Sequence, residues 1–291
     1  MIKRNIKIIY GYLCYSYFLF NAYAPDKPVL SYLRDSGFSF LSGLSAKCMS
    51  TRFLGSLATS CRVFFGLLLE WATIQQLNAY EYGSFLVMLG SVPVVIGVAW
   101  GTIIYSVRSF SDKTNLPEWA QPVLDGLTAL NIDLSVDAIA IRLGMWDWGG
   151  GLDYQYFGVP YNNFWAWFWV VFSFSASLRL LSKLPSFWGR WFFPAGAIFC
   201  GTTGVLITNE LITNIPNELI HYATIIAVLG SALLLILVLR PEVSTQPQAT
   251  FVFLVPLGFH AYFLIAGLVS SAILDPPFLL VVSIVMCIIA L

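Results

Sequence analysis

Long runs of apolar residues recur along this chain of 291 residues and constrain its fold more than any other feature. A run of about 20 apolar residues forms a helix long enough to cross the hydrocarbon core of a bilayer. Hydrophobic residues make up 58% of the sequence and charged residues only 10%, whereas a soluble domain carries about 25% charged residues. The sequence therefore predicts an all-α fold, a polytopic transmembrane helix bundle with about eight to nine spans.

Six runs are clear candidates for spanning helices, and two further runs are apolar but carry charges. The clear runs are residues 85–106, 164–181, 187–207, 219–239, 251–270 and 277–291, and the charged runs are 53–73 and 122–143. The run 8–24 is a candidate ninth span, which we expect to be retained as an anchor although it resembles a signal peptide. We expect residues 29–51 to form a cytoplasmic loop or a surface helix.

Lysine and arginine occur in alternate loops between the predicted spans. This pattern is a test of whether each predicted span crosses the membrane. Positively charged residues favour the cytoplasmic side of a membrane. Arg108 and Lys113 precede the acidic run 122–143, and Arg179 and Lys183 follow the next clear run. Both pairs can face the cytoplasm only if the acidic run crosses the membrane. We therefore expect that run to be a span despite its charge.

The predicted organisation is a single integral membrane domain, residues 1–291. Residues 1–52 are expected to form the N-terminal anchor and cytoplasmic loop, 53–182 the catalytic helices and loop, and 183–291 the C-terminal apolar spans. The net charge is zero, so composition provides no argument for a nucleic-acid partner, and the lipid bilayer is the expected environment.

The sequence lacks the patterns of metal and redox enzymes. Its five cysteines form no CxxC pair, and its two histidines, His221 and His260, fall in different segments. No GxGxxG motif follows a strand pattern, which disfavours a nicotinamide or flavin enzyme. We therefore predict no metal site and no cofactor.

The run 122–143 is unusual because it carries three aspartates, Asp125, Asp133 and Asp137. A charged side chain near the bilayer centre costs roughly 2.5–3.5 kcal/mol on insertion scales. At about 100° per residue the three fall within an arc of about 120°, which must face the bundle interior or a wet cavity. Asp125 lies near the helix end, where we expect it to be solvated. Arg62 and Glu70, on the run 53–73, are natural neighbours of this acidic face.

Two interpretations of the acidic face stay open. In the first, an ion pair between Arg62 and one aspartate only holds helices together. In the second, Asp133 and Asp137 act on a substrate, because ionisable residues inside membranes usually mark sites or pathways. We favour the second interpretation.

The loop after the acidic run is rich in aromatic, glycine and asparagine residues. It contains Trp146, Trp148 and Tyr156, followed by the pair Asn162 and Asn163. An aromatic belt at the membrane interface would explain the tryptophans. The paired asparagines after a Gly-Val-Pro turn are more typical of a shaped loop whose amides hold a geometry.

An ordered set of these residues resembles the carotenoid biosynthesis family of membrane proteins, which includes carotenoid 1′,2′-hydratases and bisanhydrobacterioruberin hydratases. The set consists of Glu70, Tyr80-x-Tyr82, Val92-Pro93, Trp100, Asp133-x-x-x-Asp137, Trp146-x-Trp148 and Tyr156-Phe-Gly-Val-Pro-Tyr-Asn-Asn-Phe-x-x-Trp167. The chain departs from the family at Ala138, where the family usually has proline after the aspartate. The stretch before Tyr80 is also shorter than is usual in the family.

The resemblance implies a cofactor-independent hydro-lyase that adds water to the terminal 1,2 double bond of an acyclic carotenoid end. The expected partners are a carotenoid or another polyene isoprenoid and other enzymes of the carotenoid pathway. The expected location is a prokaryotic cell membrane or an internal photosynthetic membrane.

The predicted residues suit such a reaction. Hydration of an unactivated alkene begins with protonation, and burial beside a second carboxylate favours the protonated form of an acid. We expect Asp133, Asp137 and Glu70 to be catalytic, with Arg62 in a structural ion pair. Aromatic faces stabilise a carbocation, and asparagine amides orient water. The aromatic candidates are Trp146, Trp148, Tyr80, Tyr82, Tyr156 and Trp167, and the water-positioning candidates are Asn162 and Asn163.

Three other functions stay open. A lycopene-cyclase-like enzyme would form the same carbocation and end with proton loss. A small transporter or channel would use Arg62, Glu70 and the aspartates as a relay. An intramembrane aromatic prenyltransferase would bind magnesium at Asp133 and Asp137, but it needs a second aspartate motif that the later runs lack.

Overall fold

The computed structural model describes residues 53–184, 187–244 and 251–290. The predicted anchor at 8–24 and the predicted segment 29–51 lie outside the described residues. The described chain is mostly helical, as predicted, and adds four strands of two residues each. Its elements are α1 (Phe53–Leu77), β1 (Glu81–Tyr82), β2 (Met88–Leu89), β3 (Val92–Pro93), α2 (Val94–Ser111), α3 (Gln121–Arg142), β4 (Trp146–Asp147), α4 (Tyr161–Ser182), α5 (Phe187–Thr213), α6 (Glu218–Leu239), α7 (Phe251–Val269) and α8 (Phe278–Ile289).

Four helices in the described part of the chain are long and apolar enough to cross a membrane. They are Val94–Ser111, Tyr161–Ser182, Phe192–Thr213 and Glu218–Leu239. The apolar parts of α7 and α8, Leu254–Val269 and Phe278–Ile289, are shorter than a typical span. The membrane-helix architecture is thus supported, whereas the predicted count of eight to nine spans is not confirmed.

The prediction of one span over residues 85–106 is wrong at its start. Helix α2 begins at Val94, and the residues before it form an antiparallel hairpin in which Met88 faces Pro93 and Leu89 faces Val92. Gly90 adopts a φ of +62°, a conformation that L side chains rarely adopt and that suits the turn. Hydropathy does not register this turn, because the hairpin residues are as apolar as those of the helix.

The basic loops meet at one end of the bundle. Arg179 of α4 bonds Asp112 after α2, and Lys183 bonds Glu118 before α3. The segment after α6 joins them, since the backbone N–H of Ser244 donates to the carbonyl of Lys113 at 2.9 Å. From their basic residues, the loops after α2 and after α4 were predicted to lie on the same side of the membrane.

Helix α3 runs from this end of the bundle to the other. Near its start, Gln121 accepts a hydrogen bond from Arg179, and at its end Arg142 donates to the carbonyl of Phe157 at 2.6 Å. Its 22 residues correspond to about 33 Å at 1.5 Å per residue. Helices α2, α4, α6, α7 and α8 pack around it. This central position lets a helix with three aspartates exist in an apolar bundle, because neighbouring helices cover its acidic face.

Helices α1 and α2 approach closely at small residues. A Cβ atom at position 66 of α1 would lie 2.6 Å from the Cβ of Trp100 and 3.2 Å from the Cα of Gly97, both on α2. Close helix contacts in membranes commonly use glycine for this reason. The contact sets the position of α1, which carries Glu70, relative to that of α2, which carries Trp100.

Replacing Gly66 with alanine is expected to push these two helices apart and to lower the stability of the protein. The atoms that an added Cβ would contact include the Cβ of Trp100 and the Cα of Gly97, which cannot move without shifting the backbone. We therefore expect the free energy of unfolding to fall by about 1–3 kcal/mol, the range for overpacking. Thermal unfolding of the purified protein in detergent measures the effect. The matched control is Gly230→Ala on α6, where an added Cβ meets nothing within 4 Å. Equal melting temperatures for the two variants would contradict the expectation.

Candidate active site

A cavity of about 720 Å³ lies between α1, α2, α3, α4, α5 and α7, beneath the loops that contain β1 and β4. Nine of the residues that the sequence proposed for the site line this one cavity. They are Glu70, Tyr80, Tyr82, Asp137, Trp146, Trp148, Asn162, Asn163 and Trp167. The fold thus brings together residues spread over almost a hundred positions of sequence. Asp133, Tyr156 and Arg62 lie outside the lining.

Asp133 and Asp137 form a buried carboxyl pair joined by Asn163. Their four-residue spacing places both on the same face of α3, and they are only 0% and 2% exposed. The side-chain Nδ2 of Asn163, in the first turn of α4, donates to Oδ1 and Oδ2 of Asp133 at 3.1 Å each and to Oδ2 of Asp137 at 2.7 Å. Asp137 faces the cavity and Asp133 lies behind it.

The charge environment of this pair favours a shared proton. The group that contacts both carboxyls is a neutral amide. The second oxygen of Asp137, Oδ1, is buried and accepts no hydrogen bond from the described residues. Two adjacent negative charges out of water repel each other, so one proton held between the carboxyls is the arrangement of lower energy. A proton so placed lies beside the cavity, because Asp137 lines it.

Glu70 lies on another wall of the cavity and is surrounded by donors. Its Oε2 accepts hydrogen bonds from the hydroxyls of Tyr80 at 2.5 Å and Tyr82 at 2.7 Å. Its Oε1 accepts one from Nε1 of Trp100 at 2.6 Å. Burial raises the pKa of both tyrosine hydroxyls well above the usual value, so they remain protonated donors at neutral pH. Three donors around one buried carboxyl group offset part of the free-energy cost of burying its ionised form.

Strand pairing between two loops builds the aromatic part of the cavity. Strand β1, after α1, pairs antiparallel with β4, after α3, so that Tyr82 faces Trp146. The ring centroids of this pair are 6.0 Å apart, and those of Tyr80 and Trp148 are 4.7 Å apart. The short pairing therefore explains why the Tyr-x-Tyr and Trp-x-Trp motifs occur together in the sequence. Each motif places two alternate side chains on the same face of its strand.

The two asparagines have different partners. Asn163 holds the carboxyl pair, whereas Oδ1 of Asn162 lies 2.5 Å from Nε2 of His221 on α6. Asn162 still lines the cavity. The same water-positioning role was predicted for both asparagines from the sequence. Successive residues at the start of a helix, however, point in directions about 100° apart.

Tyr156 and Arg62 occupy positions away from the cavity. The hydroxyl of Tyr156 donates to the carbonyl of Leu134 at 2.8 Å, and its ring packs edge-on against Phe164 at 4.9 Å. This contact supports the turn of α3 that carries Asp133 and Asp137. The guanidinium of Arg62 lies over the ring of Tyr105, 5.3 Å from its centroid.

The expectation that Asp125 is solvated is wrong. Its side chain is 0% exposed, and it accepts hydrogen bonds from Ser111 at the end of α2 and from Ser175 of α4 at 2.5 Å. It also pairs with Arg179 at 3.1 Å. Position near a helix end does not ensure solvent contact, because here the ends of α2 and α4 cover it. Asp125 lies outside the cavity lining and serves the packing of three helices.

Several residues that line the cavity were not predicted to belong to the site. Trp100 belongs to the set of residues on which the family resemblance rests, and its position in the lining and its hydrogen bond to Glu70 add it to the candidate site residues. Asn209 of α5 and Phe259, Tyr262 and Phe263 of α7 also contribute. Phe259, Tyr262 and Phe263 lie in a run that the sequence characterises only as apolar, and Asn209 lies just after the run 187–207, so no local signal distinguishes them. Within the described residues, no group of three or more His, Cys, Asp and Glu side chains is placed to hold a metal ion.

Comparison with known proteins identifies one related family. A family model described as carotenoid biosynthesis protein matches residues 77–237, which is more than half of the chain. The matched region contains every predicted site residue except Arg62 and Glu70. No curated protein and no solved structure matches the chain.

Proposed function

This chain belongs to the carotenoid biosynthesis protein family, and we propose that it adds water to the terminal 1,2 double bond of an acyclic carotenoid. A role in carotenoid biosynthesis follows from the family, and the reaction is our proposal. The observation that carries the proposal is the position of Asp137. Its carboxyl group faces an aromatic cavity while a second buried carboxyl, that of Asp133, lies behind it.

The first step is transfer of a proton from the Asp137 carboxyl to the alkene. The π electrons of the double bond form the new C–H bond at the less substituted carbon, and the carboxyl becomes a carboxylate. The adjacent carbon, which bears two methyl groups, becomes a tertiary cation. Protonation at this carbon is favoured because the alternative cation would be less substituted. Asn163 stabilises the carboxylate that is left, because its side-chain Nδ2 donates a hydrogen bond to Oδ2 of Asp137.

The second step is capture of the cation by water. A lone pair of the water oxygen forms the C–O bond, and the excess proton returns to the carboxyl pair, which regenerates the acid. Atoms and charge balance without an oxidant or a reductant. Asn163 is already engaged with both aspartates, so we assign the orientation of water to Asn162, which lines the cavity.

Expression in a bacterium that accumulates lycopene tests the proposal. Pigments extracted from these cells are expected to gain the mass of one or two water molecules, one for each acyclic end. The inactive control is Asp137→Asn. The matched control is Asp153→Asn, which makes the same change at an exposed loop position and is expected to give as much product as the unmodified protein.

Other results of this experiment would point to other functions. A pigment of unchanged mass but altered absorption would contradict hydration and indicate cyclisation. Unchanged pigments, together with ion or solute flux in liposomes that contain the purified protein, would contradict an enzymatic role and indicate a transporter.

A further inference from the structure

We infer that Trp100 holds the carbocation, and that the donors around Glu70 make the cation accept water instead of losing a proton. The inference rests on the proposed hydration and concerns the residues that determine its outcome. Trp100 was not among the residues proposed from the sequence for contact with the cation.

Trp100 is held in place on three sides. Its Cβ packs against Gly66 of α1, its Nε1 donates to Glu70 at 2.6 Å, and its ring lies 4.5 Å from that of Trp167 at an angle of 46°. It is only 5% exposed and lines the cavity. A ring fixed in this way can face a cation without reorganising during the reaction.

The tryptophans of the loop are held less firmly. Trp146 and Trp148 are half-buried, and they stand on or beside a strand of two residues. Nε1 of Trp148 has no hydrogen-bond partner among the described residues. These differences favour Trp100 as the primary contact for the cation.

The hydrogen bond between Trp100 and Glu70 strengthens the interaction with a cation. An indole N–H that donates to a carboxylate is polarised, which increases the electron density of the ring face. Tryptophan already provides the strongest cation–π contact of the aromatic side chains. The negative charge of Glu70, next to the ring, adds a favourable Coulomb interaction.

The same hydrogen bonds restrain Glu70 from acting as a base. A free carboxylate beside a tertiary cation would remove a proton from an adjacent carbon, which breaks a C–H bond and restores a double bond. Oε2 of Glu70 accepts two of these hydrogen bonds and Oε1 accepts the third. Each hydrogen bond to a carboxylate lowers its basicity. The cation then persists until water adds.

Loss of one donor is therefore expected to change the product ratio as well as the rate. Membranes that contain lycopene and the protein are incubated in D2O. Hydration gives an alcohol with deuterium on carbon, whereas proton loss gives unhydrated carotenoid labelled with deuterium. In Trp100→Phe, we expect hydration to slow about tenfold and the ratio of labelled unhydrated carotenoid to alcohol to rise about tenfold.

Two further variants make this test decisive. Tyr82→Phe removes another donor to Glu70 without altering the contact between Trp100 and Gly66, so it tests the inference even if Trp100→Phe fails to fold. It is expected to raise the same ratio. Trp167→Phe changes the neighbouring ring but no bond to Glu70, and it is expected to slow the reaction without changing the ratio.

Two outcomes separate this inference from the proposed function. If the unmodified protein forms the alcohol and neither Trp100→Phe nor Tyr82→Phe changes the ratio, the inference is wrong and hydration stands. If the unmodified protein forms no alcohol, the proposed function itself fails, and the inference fails with it.

Discussion

Replacement of Asp137 by asparagine is expected to reduce hydration by about 10²- to 10⁴-fold, the usual contribution of a general acid. Asparagine has nearly the same shape but cannot transfer an acidic proton to an alkene. It can still form hydrogen bonds with Asn163 and Asp133, so the fold is expected to persist. The measurement is the rate of alcohol formation in lycopene-containing membranes, corrected for the amount of folded protein.

Asp133→Asn provides the comparison that assigns the roles of the two aspartates. Asp133 lies behind Asp137 and outside the cavity lining. Its replacement is therefore expected to weaken proton transfer from Asp137 but to leave the Asp137 carboxyl in place. The reduction should be smaller than that of Asp137→Asn. If Asp133→Asn were the more impaired variant, the acid would be Asp133. If both variants retained full activity, the proposed mechanism would be excluded.

Replacement of Arg179 by methionine is expected to destabilise the protein by about 3–5 kcal/mol, the range measured when one partner of a buried ion pair is removed. Arg179 bonds Asp125, Asp112, Gln121 and Ser111, and Asp125 would be left buried and charged. Unfolding of the purified protein in mixed micelles, with increasing denaturing detergent, measures the loss.

Two further variants separate a buried charge from simple loss of contacts. Asp125→Asn combined with Arg179→Met removes the charge but keeps hydrogen-bonding capacity towards Ser111 and Ser175. This double variant is expected to be more stable than Arg179→Met alone. The surface control is Lys183→Met, whose ion pair with Glu118 is largely exposed, so little change is expected. A loss no larger for Arg179→Met than for Lys183→Met would contradict the structural role of this pair.

Two features of helix α3 were predicted from the sequence. The basic loops at positions 108–113 and 179–183 predicted that the acidic run crosses the membrane. Helix α3 runs from one end of the bundle to the other, but it is not among the four helices of the described chain that are long and apolar enough to cross a membrane, so the crossing stays a prediction. Helical phase predicted that Asp133 and Asp137 share a face. Both predictions depend on one element at a time, where regular geometry determines the answer.

Other features required the neighbouring helices. Asp125 is as polar as Asp137 and lies on the same helix, yet one is neutralised by Arg179 and the other faces a cavity. No local pattern separates these outcomes, because they depend on residues of another helix. Near Asp125, α4 carries Arg179 and Ser175, whereas near Asp137 it carries Asn163. The hairpin before α2 was missed because hydropathy measures polarity and does not register a turn between two apolar strands.

The long apolar runs, by themselves, predicted a mostly helical protein whose helices are long and apolar enough to cross a membrane, because a chain with so little charge has too few polar groups to cover a soluble surface. The sequence also determined that one of its helices carries carboxyl groups along one face. Only the tertiary structure decided which carboxyl meets the cavity, which is paired with arginine, and which is surrounded by donors. The donors to Glu70 come from residues 10, 12 and 30 positions away. The physical reason is that a side chain's charge state and partners depend on how separate helices and loops pack together, whereas helical period describes only a single element.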